Sequence, residues 1–438
     1  MIRRQVESIK ALGRRSKRLF AYSTGTIASQ TLPLLLSPLL ARLYSPSDFG
    51  LLAMLSAPLA VLTILSNFRY QMTVPLPVVA AHARRMVDVC LWLNFTSSVL
   101  VLFVVSIFGE SICELTGTPS LKIWLLFVPL MMLTGGSAAV YQIWALRNDH
   151  YFGCGMSKFF GALMTGTVGV AGGLVGGGFI TLLYGRMAGP VFALALLFRY
   201  GRKVLVQYSP RHYFMRMRVL LRRYRDFPTK GLLPIVLNTL AASLPVLVIA
   251  TFYGAMELGW YYMASRVLLV PVQMLGDSLK QVLYQSAANR SRERLPVRPL
   301  FMRVMLALGA MMVPVSLFVA LCGPAVFAFF LGEDWRVAGG FSAILAIAIP
   351  FKMTGSCLGC LFLVNRRIGT QSVWQYAYFL ISMIGVVYLA CSYGIEGFLW
   401  GTVVIDVIMY SVYIGVNYYT CRSSDHQRLI YGRTSEFL

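Results

Sequence analysis

Acid is scarce in this chain. Sixteen Asp and Glu stand against 39 Lys and Arg, and charged residues of either sign fill only 13% of 438 positions. With 58% hydrophobic residues, that balance excludes an ordinary soluble globule, which keeps about a quarter of its residues charged. Histidine is nearly absent. All four (His82, His150, His212, His426) fall in segments expected to face the cytoplasm, so no His ligand set exists at membrane depth. The Cys residues are scattered, and Cys357 and Cys360 have neither a second pair nor a nearby His. They read as small buried hydrophobes, with no metal or disulfide framework implied. No G-x-x-x-x-G-K-[ST], H-E-x-x-H or G-x-S-x-G occurs, which argues against ATP coupling within this chain and against the corresponding hydrolases. Connectors are too short for a nucleotide-binding domain or a large catalytic loop. The chain is expected not to be an enzyme.

What the chain does have is roughly a dozen apolar stretches, each near the ~20 residues a membrane-spanning helix needs. They lie near 19–41, 51–74, 88–109, 121–145, 157–176, 178–198, 231–252, 258–284, 301–322, 341–364, 373–393 and 395–418. Most Lys and Arg fall in the two termini and in alternate connectors. The intervening connectors hold Asp48, Glu110, Glu114, Glu257, Glu333, Asp334 and Glu396. Basic loops resist translocation, so the alternation predicts about twelve crossings with both ends cytoplasmic. The same distribution assigns the net charge of +23 to orientation and to anionic head groups of membrane lipids, with no nucleic acid implied. No small-residue cleavage site follows the basic start, MIRRQVESIKALGRRSKR, which reads as a cytoplasmic arm on the inner leaflet.

The longest connector carries ten Lys and Arg between 199 and 230. It divides the chain into a basic arm (1–18), an N-lobe (19–198), a linker (199–230), a C-lobe (231–418) and a tail (419–438). Landmarks repeat across the lobes. Leu32-Pro33, Tyr44 and Asp48 match Leu244-Pro245, Tyr253 and Glu257, and Asn148 matches Asn365. Ser56, Thr63, Asn67 and Tyr70 share their 7, 4 and 3 spacing with Arg266, Gln273, Asp277 and Lys280, a pattern expected to mark one helical face in each lobe. The fold expected is all-α and integral to the membrane: two parallel-repeat six-helix lobes around a central cavity that carries the substrate path.

Charges inside hydrocarbon cost about 2.5–3.5 kcal/mol each on insertion scales and need a partner, a cavity or a function. Arg186, Arg266, Lys280, Lys352, Asp277 and Asp406 fall within the expected spans, and Arg69 near the inner end of the second. Five bases against two acids predict a net cationic cavity for an anionic cargo. Simpler roles remain open for each: snorkelling for Arg69 and Lys280, a pair between Lys280 and Asp277, or a pair with Asp406 for the deeper bases. Pro33, Pro38, Pro129, Pro234, Pro245, Pro271, Pro314 and Pro350, with seven Gly between 166 and 178, predict kinked, closely packed helices.

The stretch LPLLLSPLLARLYSPSDFGLLAMLSAPLAVLTILSNFRYQMTVPLP (Leu32 to Pro77), YRDFP (Tyr224–Pro228), LPVLVIATFYGAMELGWYYMASRVLLVPVQMLGDSLKQVLYQ and LGEDWRVAG (Leu331–Gly339) resemble bacterial polysaccharide-export flippases. These are the Wzx-type O-antigen translocases of the multidrug/oligosaccharidyl-lipid/polysaccharide exporter superfamily. The resemblance implies twelve helices in two lobes, a cationic cavity, alternating access and an undecaprenyl-diphosphate-linked oligosaccharide as cargo. It implies a bacterial inner membrane, no cofactor beyond coupling to a proton or sodium gradient, and a polysaccharide polymerase and chain-length regulator as partners. Arg69 and Arg266 fall at family basic positions. Many relatives carry an acid where this chain has Gln71, so that acid's role does not transfer and Asp277 and Asp406 become the ion-coupling candidates. The alternative is an ion-coupled multidrug efflux carrier of the same superfamily, whose cationic cargo would want an acidic cavity. A non-transporting scaffold is the third class.

Overall fold

A computed structural model describes residues 22–115, 122–201, 210–293, 295–365 and 367–434; the basic arm 1–18 lies outside them. Among the described residues every regular element is helical. In chain order they are α1 (22–35), α2 (Ser37–Leu43), α3 (Pro46–Ser66), a 3₁₀ turn (Tyr70–Thr73), α4 (Ala80–Leu115), α5 (Lys122–Leu125), α6 (Phe127–Arg147), α7 (Tyr151–Leu174) and α8 (Gly178–Gly201). There follow α9 (Pro210–Arg223), α10 (Asp226–Phe252), α11 (Ala255–Arg292), α12 (Arg298–Leu331), α13 (Arg336–Ala346), α14 (Ile349–Leu358), α15 (Cys360–Val364), α16 (Ile368–Ser392) and α17 (Ile395–Thr434). The chain forms two compact units, Met1–Thr239 and Leu240–Leu438, divided within α10.

Among the described residues eight helices are long and apolar enough to cross a membrane, or nine if the bent pair Glu333–Ala346 and Ile349–Val364 counts as one span. The shortfall from twelve has a composition behind it. Glycines and Lys158 dilute α7, Arg266, Gln273, Asp277 and Lys280 dilute α11, and α1 and α2 are the two pieces of a broken segment. Proline sets the breaks. Both α2 and α14 start with proline in the first turn, where its missing N–H would have no partner anyway. Pro271 and Pro314, by contrast, sit inside continuous helices.

The first unit packs around Met86, Val87, Cys90, Val140 and Trp144, with Tyr70 and Val74 beneath the 3₁₀ turn. There α7 and α8 approach closely: a Cβ on Gly189 would lie 2.8 Å from the Gly161 carbonyl oxygen, so only glycine fits. The second unit packs around Leu268, Leu308, Met312, Ile349 and Met353, and separately around Val297, Phe301, Leu361 and Cys421.

Landmark residues of the repeat make corresponding contacts inside each unit. Tyr44 closes α2 and donates its hydroxyl to Gly169 O of α7 at 2.5 Å; Tyr253 follows α10 and donates to Tyr393 O at the end of α16 at 2.8 Å. Asn148 and Asn365 both cap helix C-termini. The polar face of the second span does not extend as expected. Helix α3 stops at Ser66, Asn67 caps it, and Phe68 and Arg69 take left-handed backbone. Tyr70 therefore lies in the 3₁₀ turn, while α11 runs unbroken through Lys280.

Candidate functional site

The break in the tenth apolar segment creates the charged site. Helix α13 ends at Ala346, and α14 restarts at Ile349 with the axis turned by 53°. Lys352 enters in the first turn of α14. That end of a helix is positively polarised, so an ammonium there is disfavoured unless an anion accompanies it. Asp406 of α17 supplies the anion, with Oδ2 2.5 Å from Lys352 Nζ. Tyr378 of α16 donates its hydroxyl to Asp406 Oδ1 at 2.8 Å, so both carboxylate oxygens are engaged. The Asp406 side chain is 13% exposed and that of Lys352 31%. The carboxylate is thus the more enclosed side chain of the two, and the lysine the more open.

An aromatic wall stands behind the pair. Trp374 lies one turn before Tyr378 and stacks on it at 5.2 Å, with the rings 9° apart. It also meets Tyr413 at 4.2 Å and Tyr410 at 5.4 Å, and its indole N–H donates to Met409 O at 3.1 Å. Asp406, Tyr410 and Tyr413, spaced 4 and 3 apart, share one face of α17. Glycine makes room for them: a Cβ on Gly355 would lie 2.6 Å from Tyr410 Cδ1. Tyr261 of α11 lies within electrostatic reach of both Lys352 and Asp406. The arrangement can hold a cation ready for a competing anion, beside flat apolar faces suited to rings.

Of the remaining expected site residues, Arg69, Arg186, Asp277 and Lys280 make no ion pair with this cluster among the described residues. Arg266 and half-buried Arg69 sit on α11 and at the end of α3. Arg69 turns its guanidinium to the backbone and donates to Gly231 O at 2.6 Å, tying the start of α10 to the first unit. Arg186 is exposed a third of the way along α8 and makes no hydrogen bond or ion pair among the described residues. Asp277 and Lys280 are exposed, one turn apart, and do not form the pair considered for them. Cys357 and Cys360 are buried and give their thiols to Gly276 O and Cys357 O, and no metal-binding group exists among the described residues.

Three features escaped the sequence reading. The aromatic wall was visible as Trp374 and Tyr378 one turn apart and as Tyr410 and Tyr413 following Asp406, but aromatic stripes on apolar helices are ordinary core. Lys158 of α7 donates its ammonium to Tyr22 Oη at 3.1 Å and lies 4.9 Å from that ring's centre. Asp88 of α4 is 8% exposed, and its Oδ2 has no hydrogen-bond partner among the described residues.

The family described as polysaccharide biosynthesis protein matches residues 39–339, more than half of the chain. The chain belongs to that family. The chain is also similar to the succinoglycan biosynthesis transport protein ExoT of Rhizobium meliloti, 24% identical over 319 residues. The alignment covers 71% of this chain and 61% of that protein's length. Among solved structures, the chain is similar to the lipid II flippase MurJ in an inward closed conformation, with a TM-score of 0.72 at 14% identity, covering 93% of this chain and 90% of the other. It is also similar to an inward-facing multidrug resistance MATE family transporter of the MOP superfamily, with a TM-score of 0.65 at 13% identity, covering 91% and 96%. At such identities the likeness shows the fold: that of multi-pass all-helical membrane transporters.

Proposed function

We propose that the protein flips a lipid-diphosphate-linked oligosaccharide repeat unit from the cytoplasmic to the periplasmic leaflet of a bacterial inner membrane. It does so by alternating access, with both termini in the cytoplasm and without enzymatic chemistry. The observation that carries the reading is a polysaccharide-biosynthesis chain that pairs a partly exposed lysine, Lys352, with an enclosed carboxylate between apolar helices. The cargo's diphosphate competes with Asp406 for the ammonium, and the aromatic wall offers faces to sugar rings. Arg186 supports the same cargo, because an exposed guanidinium at that depth is tolerable only beside water or an anion.

Coupling follows from the same pair. A proton or sodium ion that neutralises Asp406 releases Lys352 for the diphosphate, and its departure restores the pair and expels the anion. Asp277, exposed on α11, is the second coupling candidate. A polysaccharide polymerase and a chain-length regulator are the partners that would receive the flipped unit.

One observation favours the efflux reading: a carboxylate among Trp374, Tyr378 and Tyr410 is also what an organic cation would seek. Deleting the gene separates the two. Loss of surface polysaccharide, accumulation of the lipid-linked unit and unchanged drug susceptibility support the flippase. Intact polysaccharide with increased sensitivity to cationic drugs supports efflux instead.

A further inference from the structure

In the second unit, an open cavity of about 710 Å³ lies between the start of α12 and the late turns of α17, beside the tail expected to be cytoplasmic. Arg298, Arg422, Ser423, Tyr419 and Asp425 line it. Its walls are fixed. Arg290 donates to Pro296 O at 3.2 Å, and Val297 and Phe301 are fully buried against Cys421. Two guanidinium groups then face a space with one carboxylate, and that carboxylate is already committed. Asp425 accepts the backbone N–H of Val297 at 2.9 Å and that of Arg298 at 2.7 Å, caps the start of α12, and is only 6% exposed.

The arginines keep their charge uncompensated. Arg298 is exposed, with its guanidinium 5.2 Å from the centre of the Tyr418 ring, a contact that leaves its N–H groups available. Arg422 is exposed and makes no ion pair or hydrogen bond among the described residues. Tyr419 is 69% exposed beside them, just past the last apolar stretch, where an amphipathic ring suits a membrane interface. Two planar donors at a concavity beside the end of an apolar span match the oxygens of a phosphodiester bidentately.

We propose that this cavity is a binding site for the headgroup of an anionic phospholipid. The phosphodiester lies between Arg298 and Arg422, and its glycerol and acyl ends run past Tyr419 into the bilayer. The site is separate from Lys352 and does not depend on what the protein carries. A lipid seated there would tie the α12 start to α17 and clamp the cytoplasmic end of the second unit.

The test counts lipids on the purified full-length protein by native mass spectrometry, titrating phosphatidylglycerol against phosphatidylcholine. Wild type should prefer the anionic lipid. The R298Q/R422Q variant should lose roughly 20-fold of that preference, and R422Q alone roughly fivefold, from about one favourable contact per arginine. R222Q/R223Q, which changes two exposed arginines of α9, should behave as wild type. Inorganic phosphate at millimolar concentration should not displace the lipid. Equal preference in wild type and both cavity variants would overturn the site. Displacement by inorganic phosphate would overturn the lipid in favour of a soluble anion.

Discussion

At the scale of single residues, Lys352 and Asp406 carry most of the account. Each is costly alone at membrane depth, and together with Tyr378 they leave neither carboxylate oxygen unpaired. Losing one partner strands the other. K352Q or D406N alone should therefore lower stability by roughly 1–3 kcal/mol, a range reduced for the partial exposure of the lysine. The K352Q/D406N double variant should recover much of that loss. Thermal melting of the four proteins in detergent measures the coupling, and strictly additive losses would show that the pair is not a unit. Arg69 belongs to a different class. Its bond to Gly231 O predicts that R69A loosens the start of α10 and costs about 1–3 kcal/mol, with R69K partly rescuing. Full stability of R69A would mean that the bond contributes little.

At the scale of helices, structure is legible in the sequence where length and apolar content decide, and hidden where a single backbone choice does. The long spans matched because some 20 apolar residues in a row have few alternatives. The break at Pro350 was foreshadowed by the proline, but its consequence was hidden: Lys352 becomes a first-turn residue that needs an anion. The pairing of Lys352 with Asp406 was one of the roles left open, and the helical spacing of Asp406, Tyr410 and Tyr413 was there to be read. Arg69 was harder. The 7, 4 and 3 spacing suggested a continuous helix through Tyr70, and nothing local announces the left-handed residues Phe68 and Arg69 that stop it. Packing between helices gives the prediction at this scale. G189V should force α7 and α8 apart, because its Cβ would meet the Gly161 carbonyl and the Thr165 hydroxyl, and the protein should reach the membrane in reduced amount. Quantifying the membrane-inserted protein tests this, and unchanged yield would contradict the close packing described.

At the scale of the whole molecule, the charge alternation points to a multi-pass membrane chain and the family to polysaccharide biosynthesis, and each is independent of the other. The alternation of basic and acidic connectors predicts topology directly. Alkaline phosphatase fused after Gly332 should be active and after Tyr208 inactive, because the first lies in an acidic connector and the second in the basic linker. The reverse pattern would invert both termini. Function at this scale rests on whether the charged site of the second unit handles an anion during transport.

Reconstitution measures that most directly. Purified protein in proteoliposomes, loaded with a fluorescent undecaprenyl-diphosphate-linked oligosaccharide, should move the lipid to the opposite leaflet when an ion gradient is imposed. The K352Q protein, inserted to the same amount, should move it at least tenfold more slowly. Transport of the lipid-linked sugar by K352Q at the wild-type rate would contradict the account.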